Sequence, residues 1–399
     1  GSLMEFRFVE SPIMEPELAA KYPEIKTFLG QGITDPTAIT RFDFTVHGFH
    51  AIIHSGSGTI YIDPYSRGTN EYYLSYFKKN FKVSESRDLG EGCFVLEDPY
   101  LTEELHKLID QGFARSSGTQ LRTYRAAVAA TGEYTIFHGG TVQTGLAAVV
   151  TAMNRVNGIY EKEVAVRMIL VANNDLIIYT NPNTDPYTNN NGSTMLGQNQ
   201  TNLDNVIGNA NYDIGHVFST GGGGVAGLGV VCRTSFKARG VTGLPQPIGD
   251  PFYVDYVAHE IGHQFAANHT FNTSFSSCSP QRNASTAYEP GSASTIMGYA
   301  GICGSHNIQN YSDDYFHGIS FDEIIAFTTS SFGNQCPVTT PTGNSVPVVT
   351  VPTGGFTIPK ETPFTLTGSA TDPDNDQLTF NWEQFDLGPA GHPNTPSGN

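Results

Sequence analysis

The sequence is poor in basic residues and contains no long apolar run. Of its 399 residues, 21 are Lys or Arg and 38 are Asp or Glu, which gives a formal net charge of -17. This excess of negative charge argues against nucleic acid or an anionic membrane surface as a partner. No apolar run approaches the ~18 to 20 residues that a membrane-spanning helix needs. We therefore expect neither a nucleic-acid-binding protein nor a membrane-embedded one.

The N-terminus lacks the apolar core of an export signal. The opening GSLMEFRF begins with Gly-Ser, which is typical of a cloning remnant, so an export signal could have been removed. Charged residues make up only 15% of the chain, and such low charge with many Gly, Asn, Thr and Tyr is common in exported proteins. We expect a secreted or cell-surface protein, bacterial in character.

The length predicts two or three domains. The first, residues 1–115, is expected to be rich in β-structure. Its stretch RFDFTVHGFHAIIHSGSGTIYIDPY (41–65) alternates apolar and polar residues between Gly-Ser turns, which predicts antiparallel strands. The segment TEELHKLIDQGFA (102–114) predicts a closing helix with Thr102 as its cap.

Strand and helix patterns alternate through residues 116–338, which predicts an α/β domain. A long helix is expected at 141–164, opened by Thr141, and a second helix at 201–210. A further helix pattern returns at SFDEIIAFTTSSF (320–332). Strands are predicted at LRTYRAAVAA (121–130), VAVRMILVAN (164–173) and AGLGVVC (226–232).

A Pro/Thr/Gly-rich linker, PVTTPTGNSVP (337–347), introduces the third region, residues 339–399. Two alternating runs flank an Asp-rich turn within 364–386 and resemble the start of an immunoglobulin-like or cadherin-like β-sandwich, of which we expect a fragment. Asp372, Asp374 and Asp376 in that turn could bind Ca²⁺ through their carboxylates, or could belong to an Asx-rich hairpin turn. The sequence leaves both interpretations open.

The segment HEIGHQFAANH (259–269) places three histidines and one glutamate on an apolar helix pattern that starts with Asp250 as N-cap and Pro251 as first residue. A buried imidazole needs a hydrogen-bond partner and a buried carboxylate is costly unless paired, so a bound cation would stabilise the whole group. His259 and His263 lie at i and i+4 on one helix face, the separation at which two imidazoles bind one metal.

His269 joins this pair only if the helix ends first. A continuous helix would place it ~9 Å beyond His263, whereas zinc–nitrogen bonds are ~2.0–2.1 Å long. We therefore expect the helix to end near Ala266 and the chain to reverse at Asn268, which tolerates left-handed geometry. Three neutral histidines leave a fourth position on Zn²⁺ for water, the open arrangement of a catalytic site, with Glu260 placed as general base.

HExxHxxxxxH resembles the zinc signature of the metzincin metallopeptidases, and further matches indicate a bacterial reprolysin-like member in proenzyme form. TIMGYAG (295–301) supplies Met297 in the position of the family's Met-turn beneath the metal. Two positions depart from the family pattern: Ala266 stands where glycine is usual, and Thr270 stands where reprolysins tend to have aspartate.

The resemblance also implies how the site is used. GGVAGLGVVC (223–232) is similar to the upper-rim strand that holds an extended substrate, here through Ala226, Gly227, Leu228 and Gly229. It implies an α/β (α+β) catalytic domain with a mixed sheet and a zinc-binding active-site helix, preceded by a prodomain. It implies protein or peptide substrates.

Four cysteines lie in the catalytic region, and an exported protein favours their pairing. Of the three possible connectivities, we prefer Cys232–Cys336, which resembles the reprolysin bridge from the rim strand to the end of the catalytic domain. Its companion, Cys278–Cys303, would brace the long loops between the third histidine and the Met-turn.

Cys93 in LGEGCFVLED (89–98) then stands alone, flanked by Gly90 and Gly92, which allow a backbone to approach another surface closely. A thiolate can take the open position on zinc and displace the water, and reprolysin-like and matrix-type zymogens are kept latent by such a cysteine switch. Otherwise Cys93 is a buried core residue beside 94–96, and latency is steric.

The predicted function is that of a secreted zinc endopeptidase made as a latent proenzyme. One alternative is a metzincin-like adhesin or binding module without protease activity, against which the retained Glu260 argues. Another is a structural zinc site, which would require a fourth protein ligand.

Overall fold

The computed structural model describes residues 3–81, 93–112, 116–352 and 354–395. An antiparallel sheet occupies its N-terminal part, with strands in the order β1-β2-β3-β4-β5-β6. These strands are β1 (Phe6–Glu10), β2 (Lys26–Gly32), β3 (Ile39–Thr45), β4 (Gly48–His54), β5 (Ile60–Pro64) and β6 (Tyr73–Phe77), with helix α1 (Pro16–Lys21) after β1. The antiparallel strands predicted for 41–65 are therefore confirmed.

A second, mixed sheet runs in the order β13-β8-β10-β12-β11-β7, with β9 also paired to β8. β8, β9, β10 and β12 are parallel, whereas β11 runs antiparallel to β12 and parallel to β7. The strands are β7 (Phe94–Leu96), β8 (Gln120–Ala130), β9 (Val166–Leu170), β10 (Ile214–Ser219), β11 (Gly223–Gly227), β12 (Gly240–Gly243) and β13 (Val338–Pro341). The α/β class and the mixed sheet are confirmed.

The helices that pack around this sheet are α2 (Pro99–Asp110), α3 (Gly132–Phe137), α4 (Val142–Val164), α5 (Gly192–Leu203), α6 (Asp250–Phe252), α7 (His259–Gln264) and α8 (Gly318–Ser330). Thr141 caps α4 with a capping box, as predicted. The cap of α2 is Asp98, not Thr102, because the Asp98 carboxylate accepts the Leu101 N–H and the helix begins earlier. None of the helices described here is long and apolar enough to cross a membrane.

Two strand and helix predictions differ from the structure. The stretch 201–210 contributes only the end of α5, followed by a π-helical turn at Asp204–Gly208. The strand predicted at 226–232 lies earlier, because β11 ends at Gly227 and Gly229 adopts a left-handed φ of 59°. This turn sends the chain away from the sheet edge.

Helix α4 lies between the two sheets and differs on its two sides. Apolar side chains fill the main core on one side: Leu146, Val149, Val150, Met153, Val156 and Ile159. The side toward the N-terminal sheet is polar, since Thr151 donates to Asp43 over 2.9 Å and Arg155 forms an ion pair with Asp63. Hydrogen bonds and charge pairs therefore join the two sheets across α4 together with apolar contacts, since Ile52 and Tyr61 of the N-terminal sheet belong to the same buried cluster.

The C-terminal region forms one short antiparallel pair, β14 (Val348–Thr350) with β15 (Ser369–Thr371). Among residues 354–395, the predicted alternating runs form a strand only at β15, so the expected sandwich fragment is not established. The following tail packs on the second region, where Glu383 accepts the Gly318 N–H at 2.7 Å and Phe385 stacks on Tyr288.

Both preferred disulfides, Cys232–Cys336 and Cys278–Cys303, are present. The first joins the turn after β11 to the segment before β13, and the second closes the long loop that follows residue 269. Cys93 is the free cysteine of the described residues, and it is buried.

Candidate active site

The site is built on the helical run that starts with α6 and ends with α7. A π-helical segment, Tyr253–Ala258, joins the two, so the run from Asp250 to Gln264 is continuous. Its N-cap is Gly249 and not the predicted Asp250, which is the first helical residue. Asp250 is held there by Arg155 at 3.2 Å, and burial raises the pKa of its carboxyl to about 7.

Three imidazoles converge at the end of this run. The Nε2 atoms of His259, His263 and His269 are separated by 3.1 Å (259 to 263), 3.0 Å (263 to 269) and 3.3 Å (259 to 269). All three side chains are buried. The predicted gathering of the third histidine with the first two is therefore what the structure shows.

A backbone carbonyl orients each ring from behind. The Nδ1 atoms of His259, His263 and His269 lie 2.6, 2.7 and 2.8 Å from the carbonyl oxygens of Ile296, Ala267 and Gln281. An Nδ1–H that donates to a carbonyl fixes the neutral tautomer and leaves the Nε2 lone pair directed at the shared centre. Burial lowers the pKa of His259 to about 4 and those of the other two well below the usual value, which favours the same neutral, metal-binding form.

The chain reverses at Ala266, which adopts a left-handed φ of 76°. The prediction that the helix ends near Ala266 is confirmed, whereas the prediction that Asn268 supplies the reversal is wrong. Asn268 is instead tied to Glu323 on α8, which accepts its backbone N–H at 2.8 Å and its side-chain amide at 2.7 Å. A left-handed non-glycine residue costs ~1–2 kcal/mol, and these two bonds hold the turn against that cost.

Glu260 lies beside the three imidazoles and is fully buried. No N–H or O–H group of the described residues donates to either of its carboxylate oxygens. Burial raises the pKa of this carboxyl well above its usual value, and the neighbouring Cys93 thiol opposes the effect. Gly224 on β11 makes room for it, because a Cβ at that position would lie 1.9 Å from Glu260 Oε1.

Met297 lies under the helix that carries His259 and His263. It is buried, and a Cβ added to Gly262 would come within 2.5 Å of its sulfur atom. The Met297 carbonyl accepts the N–H of Thr270 at 3.2 Å, which links this turn to the segment after His269. The position is the one expected for the residue beneath a metal.

Sequence reasoning missed Tyr299, although it stands two residues after Met297 in TIMGYAG. Its ring lies against His269, with centroids 4.6 Å apart, and its hydroxyl donates to the Cys93 carbonyl at 2.5 Å. A buried tyrosine normally finds a partner for its hydroxyl, and here that partner is a residue about 200 positions away. Its place in TIMGYAG, two residues after Met297, was the only feature of the sequence that could have indicated its position at the site.

Cys93 occupies the fourth side of the cluster. Its sulfur lies 3.4 Å from His263 Nε2 and 3.6 Å from His269 Nε2. Potential ligand atoms of Cys93 and the three histidines all lie within 4.8 Å of one another. The flanking Gly90 and Gly92, to which the sequence analysis gave a role, fall outside the described residues.

The segment after Cys93 is paired with the expected substrate strand. Strand β7 runs parallel to β11, with Phe94, Val95 and Leu96 opposite Val225, Ala226 and Gly227. Of the four predicted rim residues, Ala226 and Gly227 belong to β11, while Leu228 and Gly229 form the turn that follows it. The Leu228 N–H still donates to the Leu96 carbonyl at 3.1 Å, so the segment 94–96 covers the edge from Val225 to Leu228.

The donor set fits a tetrahedral zinc ion. With bonds of ~2.0–2.1 Å to nitrogen and ~2.3 Å to sulfur, tetrahedral geometry separates two nitrogens by ~3.3–3.4 Å and nitrogen from sulfur by ~3.5–3.6 Å. The three Nε2 separations and the two sulfur–nitrogen distances lie within a few tenths of an ångström of these values. A cation here would also offset the burial of the Glu260 carboxylate, to which, among the described residues, only the Cys93 thiol gives partial compensation.

The aspartates considered for Ca²⁺ lie elsewhere and are satisfied differently. Asp372 Oδ1 accepts the backbone N–H of Asp374 at 2.8 Å and that of Asp376 at 3.2 Å. This is the Asx-turn arrangement, although the three carboxylates are close enough together to hold a metal.

Comparison with known proteins agrees with the geometry. The family described as Metallo-peptidase family M12B Reprolysin-like matches residues 120–325, which is just over half of the chain and includes β8 to α8 with the whole histidine cluster. The comparison with curated proteins gives no match. With that match over the part of the chain that carries the site, the protein belongs to the reprolysin-like M12B metallopeptidases, a metzincin family of hydrolases.

Proposed function

We propose that this protein is a zinc endopeptidase in latent form, with His259, His263 and His269 as zinc ligands and Glu260 as general base. The observation that carries the proposal is the convergence of three buried Nε2 atoms beside a buried carboxylate that accepts no N–H or O–H group from the described part of the chain. Such a cluster is costly for a folded protein unless a cation completes it.

The chemistry divides between the metal and the chain. When bound, zinc supplies Lewis-acid polarisation of the scissile carbonyl and lowers the pKa of water toward ~7. Glu260 accepts the proton of the attacking water and returns it to the leaving amine. Once β7 has been displaced, the edge of β11, through Ala226 and Gly227, orients an extended peptide by adding it as a strand. Proteins or peptides are therefore the proposed substrates.

Two contacts support latency. Cys93 sulfur stands where the fourth zinc ligand belongs, so the thiolate excludes the catalytic water. Strand β7 occupies the β11 edge to which a substrate would add. Both blocks come from one short stretch, 93–96, so displacing that stretch would open the metal and the substrate edge together.

We propose a three-part organisation of the chain, which the latency contacts of residues 93–96 support. Residues 1–115 form the inhibitory prodomain, 116–338 the peptidase, and 339–399 a linker with a C-terminal module. Strand β13 crosses the boundary at 338 and pairs with β8. We also propose that the protein acts outside the cell or at its surface, as the paired cysteines suggest, and that it is bacterial.

A structural zinc site is the second candidate, because Cys93 supplies the fourth protein ligand that such a site requires. The unsatisfied Glu260 weighs against it, since a closed structural site has no need of a buried carboxylate aimed at the metal. The non-proteolytic adhesin has no contact in its favour.

Metal content and casein digestion test the proposal together. Cys93→Ala protein should contain one zinc per chain and digest casein, and a zinc chelator should abolish digestion. The matched control is Cys93→Ala combined with Glu260→Gln, which should retain zinc without digestion. One zinc per chain with no digestion by Cys93→Ala, even after residues 1–115 have been removed by limited proteolysis so that β7 no longer covers β11, would favour the structural site, and no zinc at all would refute both.

A further inference from the structure

We propose that Glu289 is a positioning residue that fixes His269 and the Met-turn relative to each other, so that the histidines meet at one point. The inference rests on the proposed zinc site, and it concerns a residue outside HExxHxxxxxH. Glu289 is 6% exposed and lies in the long loop between His269 and Met297.

Both carboxylate oxygens of Glu289 are fully used. Oε2 accepts the hydroxyls of Thr270 and Thr295, each at 2.5 Å. Oε1 accepts the backbone N–H of Ser294 at 2.9 Å and that of Thr295 at 3.1 Å. The Ser294 hydroxyl adds a longer bond of 3.2 Å. Hydrogen bonds to an ionised acceptor are about twice as strong as neutral ones, so this carboxylate is a firm junction.

The segments that Glu289 joins are those that orient the His259 and His269 rings. Thr270 directly follows His269, and Glu289 also donates its backbone N–H to the Thr270 carbonyl at 2.9 Å. Thr295 directly precedes Ile296, whose carbonyl orients the His259 ring. One side chain therefore connects the third proposed ligand with the carbonyl that fixes the first.

A carboxylate is the side chain suited to this task. Five donors converge on two oxygens, and an ionised carboxylate offers about four lone-pair positions and no proton of its own. An amide would place two N–H groups at one of the oxygen positions. There only the hydroxyls of Thr270, Thr295 and Ser294 can turn to accept an amide N–H, because the backbone N–H groups of Ser294 and Thr295 cannot.

The position of Glu289 also explains why Thr270 can stand where reprolysins tend to have aspartate. Thr270 carries a hydroxyl, and the negative charge beside it is delivered from Glu289, 19 residues further along the chain. Because the Thr270 hydroxyl lies 2.5 Å from Glu289 Oε2, an aspartate at 270 would place its carboxylate beside the same donors.

The test measures zinc affinity by chelator competition in the full chain, with the visible spectrum of the Co²⁺-loaded protein and the Tm of the metal-free protein. Glu289→Ala should bind zinc about 10–100-fold more weakly, as is typical when a group that orders metal ligands is lost, and should show an altered Co²⁺ spectrum. Thr270→Asp in the Glu289→Ala background should recover much of the affinity. Glu289→Gln, which preserves shape, should fall between Glu289→Ala and the parent.

The matched control is Asp213→Asn, which removes a buried carboxylate paired with Arg125 away from the histidines. It should lower Tm without changing zinc affinity or the Co²⁺ spectrum. If Glu289→Ala and Glu289→Gln lower Tm in the same way and bind zinc as the parent does, Glu289 is only structural and the inference is wrong. If the parent chain itself binds no zinc, the proposed function fails, whatever the Glu289 variants show.

Discussion

Two groups of side chains among the residues that the structure describes have the ligand spacing of a metal site, and they differ in how their polar atoms are satisfied. Cys93 and the three histidines are buried, whereas Asp372, Asp374 and Asp376 lie in an exposed turn. In the aspartate group, Asp372 already accepts two backbone N–H groups and water can reach the remaining oxygens.

In the histidine group, the Nδ1 atoms are satisfied while the Nε2 atoms face one another, and no N–H or O–H group in residues 3–81, 93–112, 116–352 or 354–395 donates to Glu260. Ligand spacing alone is therefore weak evidence for a metal. Polar atoms that are buried, convergent and without partners are much stronger evidence, because the folded protein is costly without the ion.

The largest effect is expected from Glu260→Gln in the processed or Cys93→Ala enzyme. Peptidase turnover should fall by about 10²–10⁴-fold because the amide cannot accept the water's proton, while zinc content stays the same. Initial rates on casein and metal analysis measure the two quantities. In the unprocessed Cys93→Ala enzyme, Glu103→Gln, at an exposed position on α2, is the control and should leave both unchanged. Near-parental cleavage by Glu260→Gln would remove Glu260 from its role.

Cys93→Ala should convert the precursor from latent to active before any cleavage of the chain. With the thiolate gone, the fourth position on the metal is open to water. The Co²⁺-loaded parent should show a thiolate-to-metal absorption band that the variant lacks. An alanine variant as latent as the parent would leave the pairing of β7 with β11 as the sole cause of latency.

A smaller effect tests the packing beneath the histidine group. Gly262→Ala should lower stability by about 1–3 kcal/mol, because the new Cβ would lie 2.5 Å from Met297 sulfur. The matched control is Gly197→Ala in α5, where a Cβ meets nothing within 4 Å and the helix should gain up to about 1 kcal/mol. Thermal unfolding measures both, and shifts of the same sign would contradict the close contact under the site.

The smallest effect is expected at the aspartate group. Because Asp372 has its own backbone donors, limited proteolysis of the C-terminal region should proceed equally with Ca²⁺ and with a calcium-selective chelator. Zinc content should be unaffected in both samples. Protection by Ca²⁺ that is lost in Asp374→Asn would contradict this expectation and assign a calcium site to the turn.

The sequence predicts this site well where the cause is local. The i, i+4 spacing brings His259 and His263 together on any helix, and the Thr141 cap of α4 follows from its own turn. The predictions that fail depend on residues far away in the sequence. Ala266 is an unfavourable residue for a left-handed turn. It holds that geometry because Glu323, 55 positions further along the chain than Asn268, binds Asn268.

Distance along the chain is also why the sequence does not predict the contacts of residues 93–96 or the hydrogen bonds of Glu289. Pairing of β7 with β11 joins residues about 130 positions apart, and no periodicity in either segment indicates its partner. The five bonds of Glu289 likewise depend on how a long irregular loop folds back on Thr270 and Thr295. Helices and caps follow from neighbouring residues, whereas the groups that aim a metal site are gathered from separate segments.

The polar side of α4 bears on what happens when the N-terminal sheet departs. Thr151 and Arg155 would exchange Asp43 and Asp63 for water, and Glu161 would lose Arg41 but keep Arg167. The newly wetted surface would be mixed, because Ile52 and Tyr61 of the N-terminal sheet belong to the same buried apolar cluster as the side chains of α4. Maturation would therefore bring to solvent both the charged side chains of α4 and part of its apolar surface, and exposed apolar surface of that kind favours binding to another surface.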